Sequence, residues 1–247
     1  MVYYQSILLI SVISLFVIPF IPSKNKSYFA FFITIINIIL SSIPAIQSIL
    51  GTDTNFIIST AFPFNDIPVR VDSLSAWFML IINFTMLTGS WYGIYYMEQY
   101  KKETNNLSLH YVSMIILHVS MLLVCSIQNS LVFLIVWELM AISSFILVIF
   151  ENGKENTIKA GINYLIQSHI SVAVLTIAFI WVMASTGSND FNAVNLFVSK
   201  NLKFYNNILF LLFLAGFGIK AGFVQFHTWL PIAHPSAPSH VSGIMSG

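Results

Sequence analysis

Seven apolar runs, at about 3–21, 28–50, 72–96, 109–126, 130–150, 160–184 and 207–228, limit what this chain can fold into. A helix crossing a bilayer needs roughly 20 predominantly apolar residues, and each run approaches or exceeds that length. An eighth run starts near Val241 and reaches Gly247. Charged residues make up only 8% of the 247, against about 25% in soluble domains. The chain therefore reads as all-α, a polytopic membrane helix bundle whose first partner is the lipid bilayer. Its N-terminus is apolar from Val2 onward, with no basic leader and no small-residue cleavage site, so it reads as a first span. A net charge of +1 gives no reason to expect nucleic acid as a partner.

The charges fall almost entirely between the runs. The loops after the first, third and fifth runs hold Lys24, Lys26, Lys101, Lys102, Lys154 and Lys159, whereas the other loops hold Arg70, Lys200 and Lys203. Basic residues concentrate on the cytoplasmic side, which puts the odd loops inside and the N-terminus outside. Residues 51–71 are too polar to span, and Phe62 to Pro68 read as turns of an external loop. Asp72, just before Ser73-Leu74-Ser75, reads as a helix N-cap. Only residues 126–130 separate the fourth and fifth runs, so those two form a tight antiparallel pair. Residues 186–206 alternate polar positions with Phe191, Val194, Leu196, Phe197 and Val198, as in a short amphipathic surface helix. Trp91, Tyr92, Tyr95 and Tyr96 belong at a membrane interface. Cys125, the single cysteine, reads as a small buried hydrophobe, and one cysteine with scattered histidines has no metal-site spacing.

Two formally charged side chains fall well inside the runs, Glu138 and Lys220, and two histidines join them, His118 in the fourth run and His169 in the sixth. A lone charge at mid-bilayer costs on the order of 2.5–3.5 kcal/mol, so such groups face a bundle interior and find a partner. One carboxylate and one ammonium, each alone in its own run, invite pairing with each other. At 1.5 Å rise per residue, Glu138 lies roughly 18 Å from the inner end of its helix, Lys220 roughly 9–14 Å, and each histidine roughly 14 Å. All four thus fall in one transverse band, as proton relay requires. A lysine whose carboxylate partner can be moved or screened can release and regain a proton, and histidine titrates near neutrality. Against that stand a static Glu138–Lys220 pair that only sets helix register, and core histidines bonded to nearby polar groups. His227 and His234 read as structural residues at a membrane edge. Gly216, Gly218 and Gly222 give the Lys220 helix room to deform or be approached closely. Pro231, Pro235 and Pro238 break its continuation, as in a discontinuous span beside an ion path.

Three segments carry a family resemblance. Trp137-Glu138-Leu139-Met140, then Gly218-Ile219-Lys220-Ala221-Gly222, then Trp229-Leu230-Pro231 with the Ala233 to Ser242 run resemble the antiporter-like proton-translocating subunits. These occur in respiratory complex I, membrane-bound hydrogenases, formate hydrogenlyase and Mrp-type cation/proton antiporters. The Ala233 to Ser242 run most resembles the hydrogenase-4 component B branch. The resemblance covers most of the chain, including Asp72 to Ala76.

It implies that Glu138 and Lys220 form the first half of a proton channel, with His169 matching a histidine of the hydrogenase branch. It also implies no redox cofactor, other membrane and redox subunits as partners, protons or sodium ions as cargo, and a cell inner (plasma) membrane location. Family members have about fourteen helices in two inverted repeats, so the chain is expected to be the first half, a fragment or a truncated product. It divides into helices 1–3 with the external loop (1–108) and a half-channel bundle (109–247). The rival readings are an Mrp-type sodium/proton antiporter subunit and a non-transporting scaffold.

Overall fold

A computed structural model describes residues 1–61, 64, 66–151 and 155–246. Among the described residues seven helices are long and apolar enough to cross a membrane. Six fall within a few residues of the sequence expectation: α1 (Val2–Val17), α2 (Ser23–Ile49), α3 (Ser73–Tyr96), α4 (Thr104–Val124), α5 (Ser130–Val148) and α6 (Glu155–Thr186). A short surface helix, α7 (Asn192–Lys200), lies where the amphipathic pattern put it, burying Ala193 and Phe197. The chain continues as α8 (Lys203–Ala221), α9 (Leu230–Ser236) and α10 (Ser239–Ser246), which lies where the eighth apolar run begins.

The bundle is built by packing α2 on α3, α4 on α5, and α6 between α5 and α8. α10 folds back onto α3, which joins the two segments divided at residue 108. Trp91, Tyr92 and Tyr95 face outward at the end of α3. Cys125 is a free, half-buried thiol at the end of α4, packed beside Leu122 and Val69.

The external loop is more ordered than a string of turns. β1 (Thr54–Ser59) and β2 (Asp66–Val71) form an antiparallel hairpin. Residues 62, 63 and 65 of the expected turn, like Lys154 and Gly247, lie outside the described residues. Backbone bonds extend the hairpin across this end of the bundle. Arg70 N–H donates to Ser126 O at 2.9 Å, Gln128 N–H to Pro68 O at 2.9 Å, and Ser130 N–H to Asn189 O at 2.8 Å. Asn129 caps α5 by accepting from the N–H groups of Leu131 and Val132, and its amide donates to Phe64 O. A polar ribbon thus satisfies helix-end groups that hydrocarbon could not.

Asp72 is the N-cap of α3, as its sequence context predicts, with Oδ1 accepting from Ser75 N–H at 2.9 Å. That backbone bond chiefly holds the carboxyl below the usual carboxylate range against partial burial, and Arg70 at 3.2 Å adds to the lowering. A carboxyl lowered by folding stabilises fully above its unfolded value, about pH 4, and loses that contribution as pH falls through the lowered value. Asp72→Ala is expected to cost about 1 kcal/mol at neutral pH. Thermal unfolding in detergent should show that deficit at pH 7 and a shrinking one in acid.

Lys26, placed by sequence in the first loop, is instead fully buried in the first turn of α2. Its ammonium donates to Ser108 Oγ on α4. Lys220 is therefore not the one lysine taken into the bundle.

Candidate functional site: an interrupted helix and its lysine

α8 stops at Ala221, seven residues before the expected end of its span. Gly222 adopts φ +70°, a left-handed conformation that glycine enters without a Cβ penalty. Gly222 N–H then donates to Ile219 O at 3.3 Å and Phe223 N–H to Gly218 O at 2.9 Å, a Schellman closure. The Phe223 ring folds over Gly218, where a Cβ would come within 2.9 Å of it. Trp229 Nε1 reaches back to donate to Ile219 O at 3.1 Å. The break expected at the prolines therefore begins at Gly222. Pro231 and Pro235 lie within the short α9, and Pro238 between α9 and α10.

Lys220 thus sits one residue from the end of α8, where the helix carbonyls favour a cation. It is not deep in a continuous helix, as the depth estimate assumed. Its Nζ lies 2.6 Å from Tyr164 Oη and 3.5 Å from Ser168 Oγ. Those two hydroxyls are spaced i, i+4 and so share one face of α6. A cavity of about 140 Å³ adjoins, lined in part by Ser144, Tyr164, Lys220, Leu117 and Ile244.

Glu138 does not pair with Lys220. Its Oε1 lies 2.7 Å from His169 Nε2, and Nδ1 of the same ring lies 2.8 Å from Leu165 O. Its Oε2 is buried with no hydrogen-bond partner among the described residues. The physical reason is α6, which packs between α5 and α8 and supplies each charge with its own partner. The expected direct pair becomes two pairs joined through one helix: Glu138–His169 and Lys220–Tyr164/Ser168. The His169 side chain is 53% accessible and opens on the outside of the bundle.

His118 is fully buried and belongs to another network. Its Nε2 lies 3.0 Å from Asn83 Oδ1, and the Asn83 amide donates to Ser41 Oγ at 2.9 Å and Ser42 Oγ at 3.0 Å. This ties α2, α3 and α4 together through Nε2, while His118 Nδ1 is buried with no hydrogen-bond partner among the described residues. Asn83→Ala leaves buried donors and acceptors unpaired, at about 1–3 kcal/mol. Thermal unfolding in detergent should fall accordingly, with Thr88→Ala, on an exposed hydroxyl that bonds only its own helix, as the silent control.

His234 lies 3.1 Å from Ser242 Oγ, a structural link between α9 and α10. Tyr164 and Ser168 were missed by sequence reasoning. The available signal was two hydroxyls one helical turn apart, next to a histidine.

The site is thus an interrupted membrane helix that presents a lysine to a polar face of its neighbour. Residues 127–247 match the protein-family model described as NADH:quinone oxidoreductase/Mrp antiporter, TM. The chain belongs to this family of antiporter-like membrane subunits.

It is 37% identical over 187 residues to hydrogenase-4 component B of Escherichia coli, covering 75% of this chain and 27% of that protein. It is 27% identical over 247 residues to NADH-ubiquinone oxidoreductase chain 4 of Chondrus crispus, covering 97% of this chain and 48% of that one. A putative antiporter subunit, mnhA2, of Staphylococcus saprophyticus is 30% identical over 185 residues, covering 73% of this chain and 22% of that protein. A chain in the structure of the membrane-bound sulfane sulfur reductase, an archaeal respiratory membrane complex, superposes with a TM-score of 0.81 at 16% identity. That superposition covers 97% of this chain and 49% of the other, and it establishes the fold. In each case the matched region is under half the length of the relative.

Proposed function

We propose that this chain is a proton-translocating membrane subunit of a complex I-like or hydrogenase-4/formate hydrogenlyase-type oxidoreductase. Its ion path would be a half-channel running from Glu138 through His169 and the polar face of α6 to Lys220. The observation that carries the reading is Lys220 at an interrupted helix end, hydrogen-bonded to Tyr164 and Ser168 beside a cavity roomy enough for water.

In this reading Glu138 Oε2 takes up a proton, which moves the balance of charge on His169. Lys220 exchanges its proton with the cavity through Tyr164 and Ser144. Residues 1–108 brace the half-channel formed by 109–247. The half-exposed Glu138–His169 pair would be costly against hydrocarbon, which supports a neighbouring membrane subunit over that face. The lysine-rich odd loops support a cytoplasmic placement for them in a cell inner membrane, with the N-terminus outside.

Glu138→Gln keeps the shape and a hydrogen bond to His169 but cannot carry a proton. In sealed membrane vesicles holding the assembled complex, proton uptake should fall about 100-fold while electron transfer continues. Normal uptake would remove Glu138 from the path. The sodium/proton antiporter reading is favoured by the mnhA2 similarity. It predicts proton movement that stops when sodium is replaced by choline. A non-transporting scaffold predicts that a Glu138→Gln, Lys220→Met double variant keeps every activity.

A further inference from the structure

A second buried titratable pair lies away from Glu138 and Lys220. His110 on α4 and His240 in the first turn of α10 are 1% and 3% exposed. Their Nε2 atoms are 2.9 Å apart. At that separation one ring donates and the other accepts, so one proton is shared between them. The remaining ring nitrogen of each, Nδ1, is buried with no hydrogen-bond partner among the described residues. The sequence separation of 130 residues explains why no local pattern announces the pair.

We infer that the His110–His240 pair is a proton-loading site serving Lys220 from the end of the bundle formed by the start of α4 and the end of α5. The inference rests on Lys220 as a proton carrier for its destination, though not for the existence of the loading site.

Two openings flank the pair. On the outer side, a cavity of about 80 Å³ is lined by Asn106, Leu109, His110, Ile146, Ile149 and Phe150. On the inner side, Ser113 and Leu117 follow His110 at i+3 and i+7 and share its face of α4. Ser113 Oγ is buried with no hydrogen-bond partner among the described residues, and Leu117 lines the cavity beside Lys220. From α10, Ile244, one turn beyond His240, lines the same cavity. His110 thus lines the first cavity, and the lysine cavity begins two turns further along α4, at Leu117, and one turn further along α10, at Ile244.

In the neutral pair one Nδ1 carries a lone pair. A proton taken up there gives an imidazolium hydrogen-bonded to an imidazole. Releasing it restores the neutral pair, with no other bond changed.

Other titratable groups border the site. Tyr96 of α3 lies 5.4 Å from the His240 ring, and Tyr111 lies 5.2 Å from the His110 ring. Tyr96 and Tyr100 both donate to Glu151 Oε1, at 3.0 and 2.8 Å, and Glu151 follows Phe150, which lines the first cavity. His234 of α9 bonds to Ser242 of α10, and Lys26 of α2 bonds to Ser108 of α4. A site of this kind gains a proton more readily with a carboxylate near and less readily with a lysine near.

The test uses membranes holding the full chain in its complex. Proton uptake into sealed vesicles is followed across about pH 5–8 for the wild type, His110→Gln, His240→Gln and Lys220→Met. Both histidine variants should lower uptake about 100-fold and remove an inflection from the pH profile. Wild-type rates and profile in both histidine variants, with Lys220→Met inactive, would overturn the loading site and leave the lysine reading intact. Normal uptake in Lys220→Met would instead sink the lysine path.

Should the histidine variants fail to accumulate, solid-state NMR of the wild-type chain labelled with 15N-histidine decides. Two imidazoles that titrate as a coupled pair sharing one added proton support the site. Two that titrate independently, or neither taking up a proton in that range, overturn it.

Discussion

Lys220→Met should abolish proton translocation, lowering uptake by about 100-fold or more, while the complex still assembles. Methionine keeps most of the length and apolar bulk of the side chain, so the cavity beside Tyr164 stays filled. What is lost in stability is a cation at the end of α8, worth about 0.3–1 kcal/mol, and one hydrogen bond to Tyr164. Neither loss is large enough to unfold a bundle of seven long helices.

Lys220→Arg separates a proton carrier from a fixed counter-charge, because arginine stays protonated at any physiological pH. It is expected to be as inactive as Met, although it keeps the charge. Vesicle proton uptake measured beside subunit content in the purified complex checks both variants. An active Arg variant would reduce Lys220 to a static cation.

The second large effect comes from a residue with no side chain. Gly216 lets α8 approach α6, and a Cβ there would meet Leu175 Cδ2 at 2.6 Å and the Leu175 backbone nitrogen at 3.4 Å. Ser171 Oγ donates to Gly216 O at 2.6 Å across the same contact. Gly216→Val forces the helices apart, and overpacking of this kind costs about 1–3 kcal/mol. The displaced helix carries Lys220 four residues on, so its hydrogen bond to Tyr164 should be strained too. Both a lower unfolding temperature and reduced uptake are expected. Gly243→Ala, where a Cβ would meet nothing within 4 Å, should change neither. Wild-type stability and uptake in Gly216→Val would show that the close approach is dispensable.

Much of the architecture was legible from the order of residues. A bilayer demands long apolar helices with charges between them, so seven spans could be counted and mostly bounded. Asp72 as an N-cap, the amphipathic stretch of α7 and the antiparallel α4–α5 pair are local patterns, and local patterns are readable. Glu138, Lys220 and His169 were conspicuous because an ionisable residue in an apolar run is costly.

Partners were another matter, because they depend on which helices become neighbours. The sequence offered Glu138 and Lys220 to each other, and the insertion of α6 between α5 and α8 gave each a different partner. His118 was set beside them by depth alone, yet depth says nothing about rotation around a helix axis, and Asn83 holds it on another face. The prolines looked like the helix breakers, but the left-handed turn at Gly222 ends α8 first, because it lets the Gly222 and Phe223 N–H groups close back on Ile219 O and Gly218 O. Lys26 lay among polar residues and read as loop, whereas its burial depends on Ser108, 82 positions away.

The sequence by itself therefore determined the membrane class, the count of long apolar spans and which ionisable residues stand within apolar runs, since those follow from the transfer energies of short segments. Tertiary structure alone decided which charges meet, where the seventh span is interrupted and that His110 faces His240. Those outcomes depend on contacts between residues far apart in the chain, whose geometry no local pattern encodes.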